Sequence, residues 1–418
     1  MLGIIVLAAA VRLAVFQGFY RGRDFGFNDA NYYSQQAIAL TNGHWFIDPA
    51  TGAPGAEHGP LTTLLIAPVS WMDFPQNWQR LATIATGVLC VGVLGLIGHK
   101  LGAHRANATT LGLTAAGLAA IYPNLWLNDG LVMSESLCAL LVSLWVLIGL
   151  DVGKRLDMVS RPDGLRSSVR YVILFGAIGA LGVLARNELS LLAIVAAVVI
   201  WRLGAGSRVI LLGAFAAANA LVLAPWVVPN LVRFENPVIL TTNEGGTLRG
   251  ANCNRAYSGR QIGSWSIYCL AGDPDTLQME TSQRSARWRA DGLAYAVEHK
   301  GRLPLVLAAR VGRTLDLFGL DYQLDEDVRD GRPRLGSIVG IGAFWLLAPL
   351  AVFGLRKRSG PWTGSAERLV LLAPVFVVAV STLAFYGGHR IRSPMESVVV
   401  IGAALAITRL ASRRRAPT

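Results

Sequence analysis

The sequence has 418 residues, of which 53% are hydrophobic and only 15% are charged, whereas soluble domains have about 25% charged residues. Several apolar runs reach the length of about 17–25 residues that a bilayer-spanning helix needs, so the composition excludes a soluble protein and indicates a polytopic membrane protein. The net charge of +12 resembles that of a nucleic-acid-binding protein, but basic residues at the inner ends of membrane helices give the same total, and we expect no nucleic-acid partner.

Ten apolar runs are predicted to be membrane spans, which makes the fold all-α. They cover residues 1–19, 80–98, 107–124, 131–150, 171–186, 189–204, 209–228, 336–354, 368–386 and 395–411. The first run lacks the basic region of a signal peptide and no cleavage site follows it, so we expect a retained helix, with a chain start further upstream left open. Only Arg186-Asn187-Glu188 separates the fifth run from the sixth, which leaves one long broken helix as an alternative.

Lysine and arginine are concentrated in a few short loops and in the tail that begins at Arg409. These loops are residues 99–106, 151–170, 202–208 and 355–368. Because basic loops stay on the cytoplasmic side, alternation places the remaining loops outside and both termini inside. The outer segments are then residues 20–79, 125–130, 187–188, 229–335 and 387–394. We therefore expect a multi-pass protein of the plasma (inner) membrane that is in contact with membrane lipids.

This topology predicts three parts. They are an amino-terminal membrane module at 1–228 with its first outer loop at 20–79, an extracytoplasmic lobe at 229–335, and membrane helices with a basic tail at 336–418. In the first outer loop the apolar run Pro60 to Met72 is too short to cross a bilayer and is predicted to be re-entrant or interfacial. Residues 29–41 have the spacing of a short interfacial helix with Asp29 at its N-cap.

The outer lobe has mixed charge and the pattern of a small folded unit. Residues 279–299 have helical spacing, and residues 303–318 form a second amphipathic stretch with Arg310 and Arg313 on its polar side, as in a helix lying on lipid. Cys253 and Cys269 are both in this lobe, where an oxidising environment favours a disulfide. Cys90 and Cys138 lie in apolar runs and are predicted to be unreactive core residues.

Ionisable residues near membrane ends are costly and are therefore candidates for function, and here the acidic ones collect on the outer side. Asp29 fits either a helix cap or a reactive carboxylate. Asp24, next to Arg21 and Arg23, is its rival and fits better as a salt-bridged loop residue.

Three further groups of outer residues have alternative interpretations. Glu57 and His58, with His389 from the last outer loop, could ligate a divalent metal, although their spacing matches no standard metal motif. Asp129 and Glu135 could instead cap the fourth span and face its dipole. Arg390 and Arg392 could extend to the membrane surface or clamp a phosphate, for which arginine geometry is well suited.

The order of these elements resembles the GT-C superfamily of membrane glycosyltransferases, specifically the branch of the protein O-mannosyltransferases and the lipid A aminoarabinose transferase. Six motifs carry the resemblance over most of the chain. They are Asp29-Ala30-Asn31-Tyr32 with Ala37 to Gly43, Glu57-His58-Gly59-Pro60-Leu61, Pro123 with Ser134-Glu135, Leu184-Ala185-Arg186, Pro225-Trp226 to Asn230 with Thr242 to Gly246, and His389-Arg390-Ile391-Arg392-Ser393-Pro394. His58 and Gly59 depart from the family's Lys-Pro at these positions.

The resemblance implies a polyprenyl-phosphate-linked sugar donor used at the outer face, with Asp29 as general base. It also implies a metal held with the help of Glu57, for which His389 is the second candidate ligand. The residues assigned to substrate binding are Asp24, Tyr32, His58, Asp129, Glu135, Arg186, Arg390 and Arg392. The acceptor could be a lipid, a polysaccharide or a protein.

The chemistry expected of such a donor agrees with one reactive carboxylate. A lipid phosphate is already a good leaving group, so deprotonation of the acceptor hydroxyl remains, for which one positioned base supplies roughly 10²–10⁴ in rate. Direct displacement should invert the anomeric centre, and Arg186, Arg390 or a metal would stabilise the departing phosphate. The alternative is a transporter or flippase of lipid-linked sugars, but these more often have mid-membrane charges and a repeated half.

Overall fold

The computed structural model describes residues 1–26, 28–47, 52–103, 107–156, 164–271, 276, 278–356 and 365–415. These residues form helices and loops without a β-strand, apart from one isolated bridge between Ile47 and Pro54. The predicted basic loops at 99–106, 151–170 and 355–368 lie partly outside the described residues.

The described residues of the membrane module contain ten α-helices. They are α1 (Leu2–Val15, continued to Tyr20 by a π-helical turn), α2 (Asp29–Thr41), α3 (Pro60–Ile66), α4 (Pro75–Gly102), α5 (Ala108–Ile121), α6 (Pro123–Asp129), α7 (Ser134–Leu156), α8 (Gly164–Ala185), α9 (Leu191–Leu203) and α10 (Arg208–Arg233). The rest of the described chain adds eight more. They are α11 (Asn243–Ala251), α12 (Asn254–Tyr257), α13 (Thr281–Glu298), α14 (Leu303–Thr314), α15 (Leu320–Arg329), α16 (Arg334–Gly354), α17 (Ser365–Ala384) and α18 (His389–Arg415).

Every predicted span coincides with a helix, and eight of these helices are long and apolar enough to cross a membrane. The chain is therefore an integral, multi-pass membrane protein with an all-α fold, as predicted. The other two helices, α5 and α9, have 14 and 13 residues, or about 20 Å each against a hydrocarbon core of about 30 Å. Helix α5 is short because Pro123 forces Tyr122 into an extended conformation, which ends the helix at Ile121.

Helices α8 and α9 are two distinct helices separated by a turn. Arg186 ends α8 in an extended conformation (φ −150°, ψ 122°), and a 3₁₀ turn over Asn187–Ser190 precedes α9. The side chain of Asn187 donates to Oγ1 of Thr241 at 2.6 Å, which ties this turn to the start of the outer lobe. The turn therefore exposes Arg186 and Glu188 to neighbours from other helices.

The first outer loop contains the two short helices that the sequence predicts. Helix α3 and the 3₁₀ turn Ala67–Val69 together form an apolar segment of 10 residues, too short to span. The helix begins after Gly59, where a Cβ atom would clash with the carbonyl oxygen of Leu184. The GT-C motif that this segment resembles has a proline at this position, and its ring would meet the same clash. Gly59 therefore lets the loop approach the end of α8.

The outer lobe is held together by close helix contacts and one covalent bond. Helices α11 and α13 approach closely because Gly245 faces the backbone of Ser285 and Gly292 faces that of Leu248. The predicted disulfide between Cys253 and Cys269 is present and is thereby confirmed. Cys90 and Cys138 are buried free thiols, also as predicted.

The prediction that α14 lies on lipid with Arg310 and Arg313 on its outward polar side is wrong, because both side chains are buried. Arg310 donates to the backbone oxygens of Leu383 and Ala251, and Arg313 donates to those of Ile262 and Arg260. The two guanidinium groups satisfy loop carbonyls that would otherwise be buried without partners. They therefore hold the lobe together instead of facing lipid headgroups.

The predicted topology can be tested at two glycines that it places on opposite sides of the membrane. We expect Gly301→Cys in the lobe to react with a membrane-impermeant maleimide on intact cells, and Gly164→Cys at the start of α8 to react only after permeabilisation. Gly301 is exposed, and a Cβ added there would have no neighbour within 4 Å. Cys90 and Cys138 should be replaced first. Labelling of Gly164→Cys but not Gly301→Cys on intact cells would invert the topology.

Candidate active site

Asp29 is the first residue of α2, and its neighbour Asn28 provides the cap. Asn28 is extended and its Oδ1 accepts a hydrogen bond from the N–H of Ala30 at 3.1 Å, so the predicted N-cap role of Asp29 is corrected. Because Asn28 satisfies the helix end, the Asp29 carboxylate is available for contacts outside α2. Its Oδ2 accepts a hydrogen bond from Nη2 of Arg390. Nε2 of His58 lies 3.6 Å from its Oδ1.

Arg390 in the first turn of α18 connects Asp29 to a buried carboxylate of α7. Its Nε donates to Oε1 of Glu135 at 2.8 Å while its Nη2 donates to Asp29. Arg186 donates to the same Oε1 of Glu135 at 3.0 Å and to Glu188 at 2.6 Å. We refer to these six residues as the Asp29 cluster. Its members are Asp29, His58, Glu135, Arg186, Glu188 and Arg390.

The two carboxylates that share Arg390 differ in exposure. The side chains of Asp29 and Arg390 are 27% and 24% exposed, whereas that of Glu135 is 0% exposed. Glu135 keeps one oxygen, Oε2, without a hydrogen-bond partner among the described residues. A molecule approaching the cluster therefore reaches Asp29 and Arg390 first.

The charges of the cluster control the protonation of Asp29. Burial would raise the pKa of the Asp29 carboxyl, but Arg390 and then His58 outweigh it and hold this pKa well below its usual range. Burial lowers the pKa of His58, whereas the Asp29 carboxylate raises it more strongly, so the net shift is upward. Asp330, whose backbone oxygen accepts from Asn28, has a pKa raised to about 6, chiefly by burial. Asp29 is thus an anion at neutral pH.

Two tyrosines of α2 pack beside His58. The rings of Tyr32 and Tyr33 lie 5.1 and 5.2 Å from the His58 ring, measured between centroids. The Tyr32 hydroxyl accepts a hydrogen bond from the N–H of Glu57 at 3.2 Å. The Tyr33 ring is buried and the Tyr32 ring is partly exposed, so Tyr32 is the one of the two that a bound molecule could contact.

His389 and Arg392 belong to a second group of charged residues. Both nitrogens of the His389 ring contact lobe carboxylates, Nδ1 with Asp327 at 2.8 Å and Nε2 with Asp316. Arg392 pairs with Asp316 and with Glu396, and Arg332 pairs with Asp327. Arg392, predicted to bind substrate, therefore lies outside the Asp29 cluster. This group connects the lobe to the first turn of α18, next to Arg390.

A small polar cavity lies beside this second group. The cavity has a volume of about 20 Å³. Its lining residues include Asn128, Asp327, Arg332 and Glu396. That is room for about one water molecule. The sequence did not predict Asp316, Asp327 or Arg332 as partners of His389 and Arg392. It showed only that the three residues belong to a lobe of mixed charge.

Asp129 and Asp24 do not join the Asp29 cluster either. Asp129 is buried and pairs with Arg12 of α1, which also donates to the backbone oxygens of Ala8 and Ala120. Asp24 is exposed and forms no ion pair with any described residue, so the predicted salt bridge to its arginine neighbours is absent. Of the predicted residues, the structure brings together Asp29, Tyr32, His58, Glu135, Arg186 and Arg390.

The predicted metal site does not assemble. No three histidine, cysteine, aspartate or glutamate side chains are arranged to hold an ion within the described part of the chain. His389 uses both ring nitrogens in contacts with Asp316 and Asp327, and Asp29 is paired with Arg390. The donor set of Glu57 and His389 therefore does not fit a divalent metal in this arrangement.

The buried pair of Arg12 and Asp129 predicts a structural role that can be separated from substrate binding. Arg12→Met alone should lower the free energy of unfolding by about 3–5 kcal/mol, because it leaves a buried carboxylate without its partner. Adding Asp129→Asn should recover most of the melting temperature in detergent. If Asp129 instead contacts substrate, the double variant will regain stability but stay inactive in any assay of the protein.

No protein-family model and no curated protein matches the chain. The oligosaccharyltransferase of Archaeoglobus fulgidus is similar in structure: its complex with Zn and sulfate superposes with a TM-score of 0.56 at 15% identity, over 98% of this chain and 49% of that one. The same enzyme tethered to an acceptor peptide with the NVT sequon gives 0.61 at 14% identity, over 99% and 50%.

A further similar structure is ArnT from Cupriavidus metallidurans bound to undecaprenyl phosphate, with a TM-score of 0.43 at 15% identity over 99% of this chain and 78% of that one. The chain spans about half the length of the oligosaccharyltransferase. The superposition shows that this chain shares the fold of that oligosaccharyltransferase, in agreement with the fold that the motif order predicted.

Proposed function

We propose that the protein transfers a sugar from a polyprenyl-phosphate-linked donor to an acceptor hydroxyl at the outer face of the membrane, with Asp29 as general base. The observation that carries this proposal is the Asp29 cluster. A partly exposed carboxylate and a partly exposed guanidinium lie side by side at the start of α2 and α18. The GT-C fold adds support, since it is the fold of an oligosaccharyltransferase.

The reaction needs few groups from the protein. The acceptor oxygen attacks the anomeric carbon, the bond from that carbon to the phosphate oxygen breaks, and the acceptor proton passes to the Asp29 carboxylate. The lipid phosphate leaves with the bonding electron pair and needs no acid. A single displacement of this kind inverts the anomeric configuration.

Two arginines can stabilise the negative charge that develops on the departing phosphate. Arg390 is the better placed, because 24% of its side chain is exposed against 9% for Arg186. Arg186 is more buried and forms an ion pair with Glu135, which in turn forms an ion pair with Arg390. The imidazole of His58 next to Asp29 is a further donor within reach of a bound phosphate.

The proposal uses no metal. The oligosaccharyltransferase structure includes Zn, but in this chain His389 is engaged by Asp316 and Asp327, and Asp29 is engaged by Arg390. The acceptor stays open among a lipid, a polysaccharide and a protein, and the sugar between a hexose and a pentose. We further propose that both termini are cytoplasmic, which follows from the distribution of lysine and arginine.

The alternative function is a flippase that moves lipid-linked sugars without chemistry. Sealed proteoliposomes with polyprenyl-phosphate sugar in both leaflets, labelled in only one of them, distinguish the two. The transferase consumes donor from one leaflet and produces polyprenyl phosphate and labelled acceptor. A flippase exchanges donor between leaflets and leaves it intact. Exchange without consumption, in the presence of a cell-envelope extract as acceptor source, would contradict the proposed function.

A further inference from the structure

Arg390 is shared by two carboxylates in a way that bears on how a phosphate could bind. Its Nε is bonded to Glu135 and its Nη2 to Asp29, so two of its donor nitrogens are already in use. Arginine binds phosphate best with two parallel N–H donors. A phosphate that binds across the edge formed by Nε and Nη2 must therefore replace one of the two carboxylates.

The charge of the cluster gives no free attraction for an anion. The acidic members Asp29, Glu135 and Glu188 outnumber the guanidinium groups of Arg186 and Arg390, and only a protonated His58 would balance them. An arriving phosphate thus gains little from the net charge of the site. Binding across the Nε–Nη2 edge of Arg390 then depends on exchange with a carboxylate already present.

The exposure of the two carboxylates decides which one is exchanged. The Glu135 side chain is fully buried and keeps contacts with both Arg186 and Arg390, whereas Asp29 is 27% exposed. Moving Glu135 would take a fully buried anion off one of its two arginine partners, which costs more than releasing a partly solvated aspartate. Asp29 is therefore the group that gives way.

Building on the proposed function, we propose that Asp29 and the phosphate of the donor compete for Arg390, so that donor binding releases the general base. Before the donor arrives, Asp29 is masked by its ion pair and is a weak base. When the phosphate takes Nη2, the bond of Glu135 to Nε keeps Arg390 in place. The released Asp29 then faces the acceptor, which explains why a paired carboxylate can still serve as base and requires the donor to bind first.

The competition predicts that removing the negative charge of Asp29 tightens phosphate binding. We would measure the affinity of the purified full chain in detergent for decaprenyl phosphate and for uncharged decaprenol. Asp29→Asn should bind decaprenyl phosphate about fivefold more tightly than the parent, since a partly exposed ion pair is worth up to about 1 kcal/mol. Decaprenol affinity should not change. Asp73→Asn, which alters an exposed aspartate outside the cluster, should match the parent.

A double-mutant cycle assigns the effect to Arg390. In an Arg390→Gln background, Asp29→Asn should no longer tighten decaprenyl phosphate binding, and Arg390→Lys provides a second background if the glutamine variant does not fold. Equal or weaker binding by Asp29→Asn, or tightening that persists without Arg390, would overturn the competition. If the parent does not distinguish decaprenyl phosphate from decaprenol, the proposed function itself fails together with this inference.

Discussion

Asp29→Asn is expected to lose nearly all sugar transfer, with a barrier increase of about 3–5 kcal/mol for loss of general base catalysis. Asparagine keeps the size and a hydrogen bond to Arg390 but cannot accept the proton of the acceptor hydroxyl. Asn28, not Asp29, caps α2, so the substitution should leave the helix end intact. Initial rates with a labelled polyprenyl-phosphate sugar measure the loss.

Two controls are needed for this result. One tests Asp24, the alternative carboxylate, and the other tests whether the variants remain folded. Asp24→Asn should keep most of the activity, because Asp24 is exposed and unpaired within the described structure. Melting temperatures in detergent should agree for the parent and both variants. The wrong aspartate has been chosen if Asp24→Asn is inactive while Asp29→Asn keeps more than about a tenth of the parent rate.

Arg390→Gln is expected to reduce kcat by about 10²–10³-fold, comparable to loss of one donor that stabilises developing negative charge. It should also change the pH profile. Burial raises the pKa of Asp29 and Arg390 is the strongest influence that lowers it, so without Arg390 this pKa rises. The acid limb of kcat/KM should therefore move to higher pH in the variant, and its residual activity should be lost as pH falls through the raised pKa of Asp29. In the parent, Asp29 stays ionised at every pH above its usual pKa of 3.8.

A second arginine serves as the control for this variant. Arg21 is exposed and donates to Gln17 at 2.9 Å, away from the cluster. Arg21→Gln should leave both kcat and the pH profile unchanged. An Arg390→Gln protein that is folded and retains the parental kcat would remove Arg390 from the proposed phosphate contact.

Much of the fold could be predicted because bilayer thickness selects long apolar runs, and these are visible in sequence. The lengths of α5 and α9 were less visible, since a proline and a turn near Arg186 shorten helices inside continuous apolar segments. The burial of Arg310 and Arg313 was also missed. An amphipathic pattern shows that one face is polar but not whether that face meets water, lipid headgroups or backbone carbonyls.

The site was only partly predictable for a similar reason. The motif order pointed to Asp29, Glu135, Arg186 and Arg390, and these residues do lie together. Partner choice was not predictable where several acids and arginines crowd one face. Asp129 pairs with Arg12 in the first span, and His389 pairs with two lobe aspartates that carry no motif. Such pairings depend on three-dimensional packing that spacing along the chain does not encode.

The most direct test of the account is the chemical balance of a transfer reaction with purified parent protein and a panel of polyprenyl-phosphate sugars. One donor should lose its sugar to an acceptor hydroxyl, release polyprenyl phosphate in equal amount and give a product with inverted anomeric configuration. A product with retained configuration and a glycosyl ester on Asp29 would contradict the role of Asp29 as a base. If no donor in the panel loses its sugar to any acceptor, the assignment as a glycosyltransferase is contradicted.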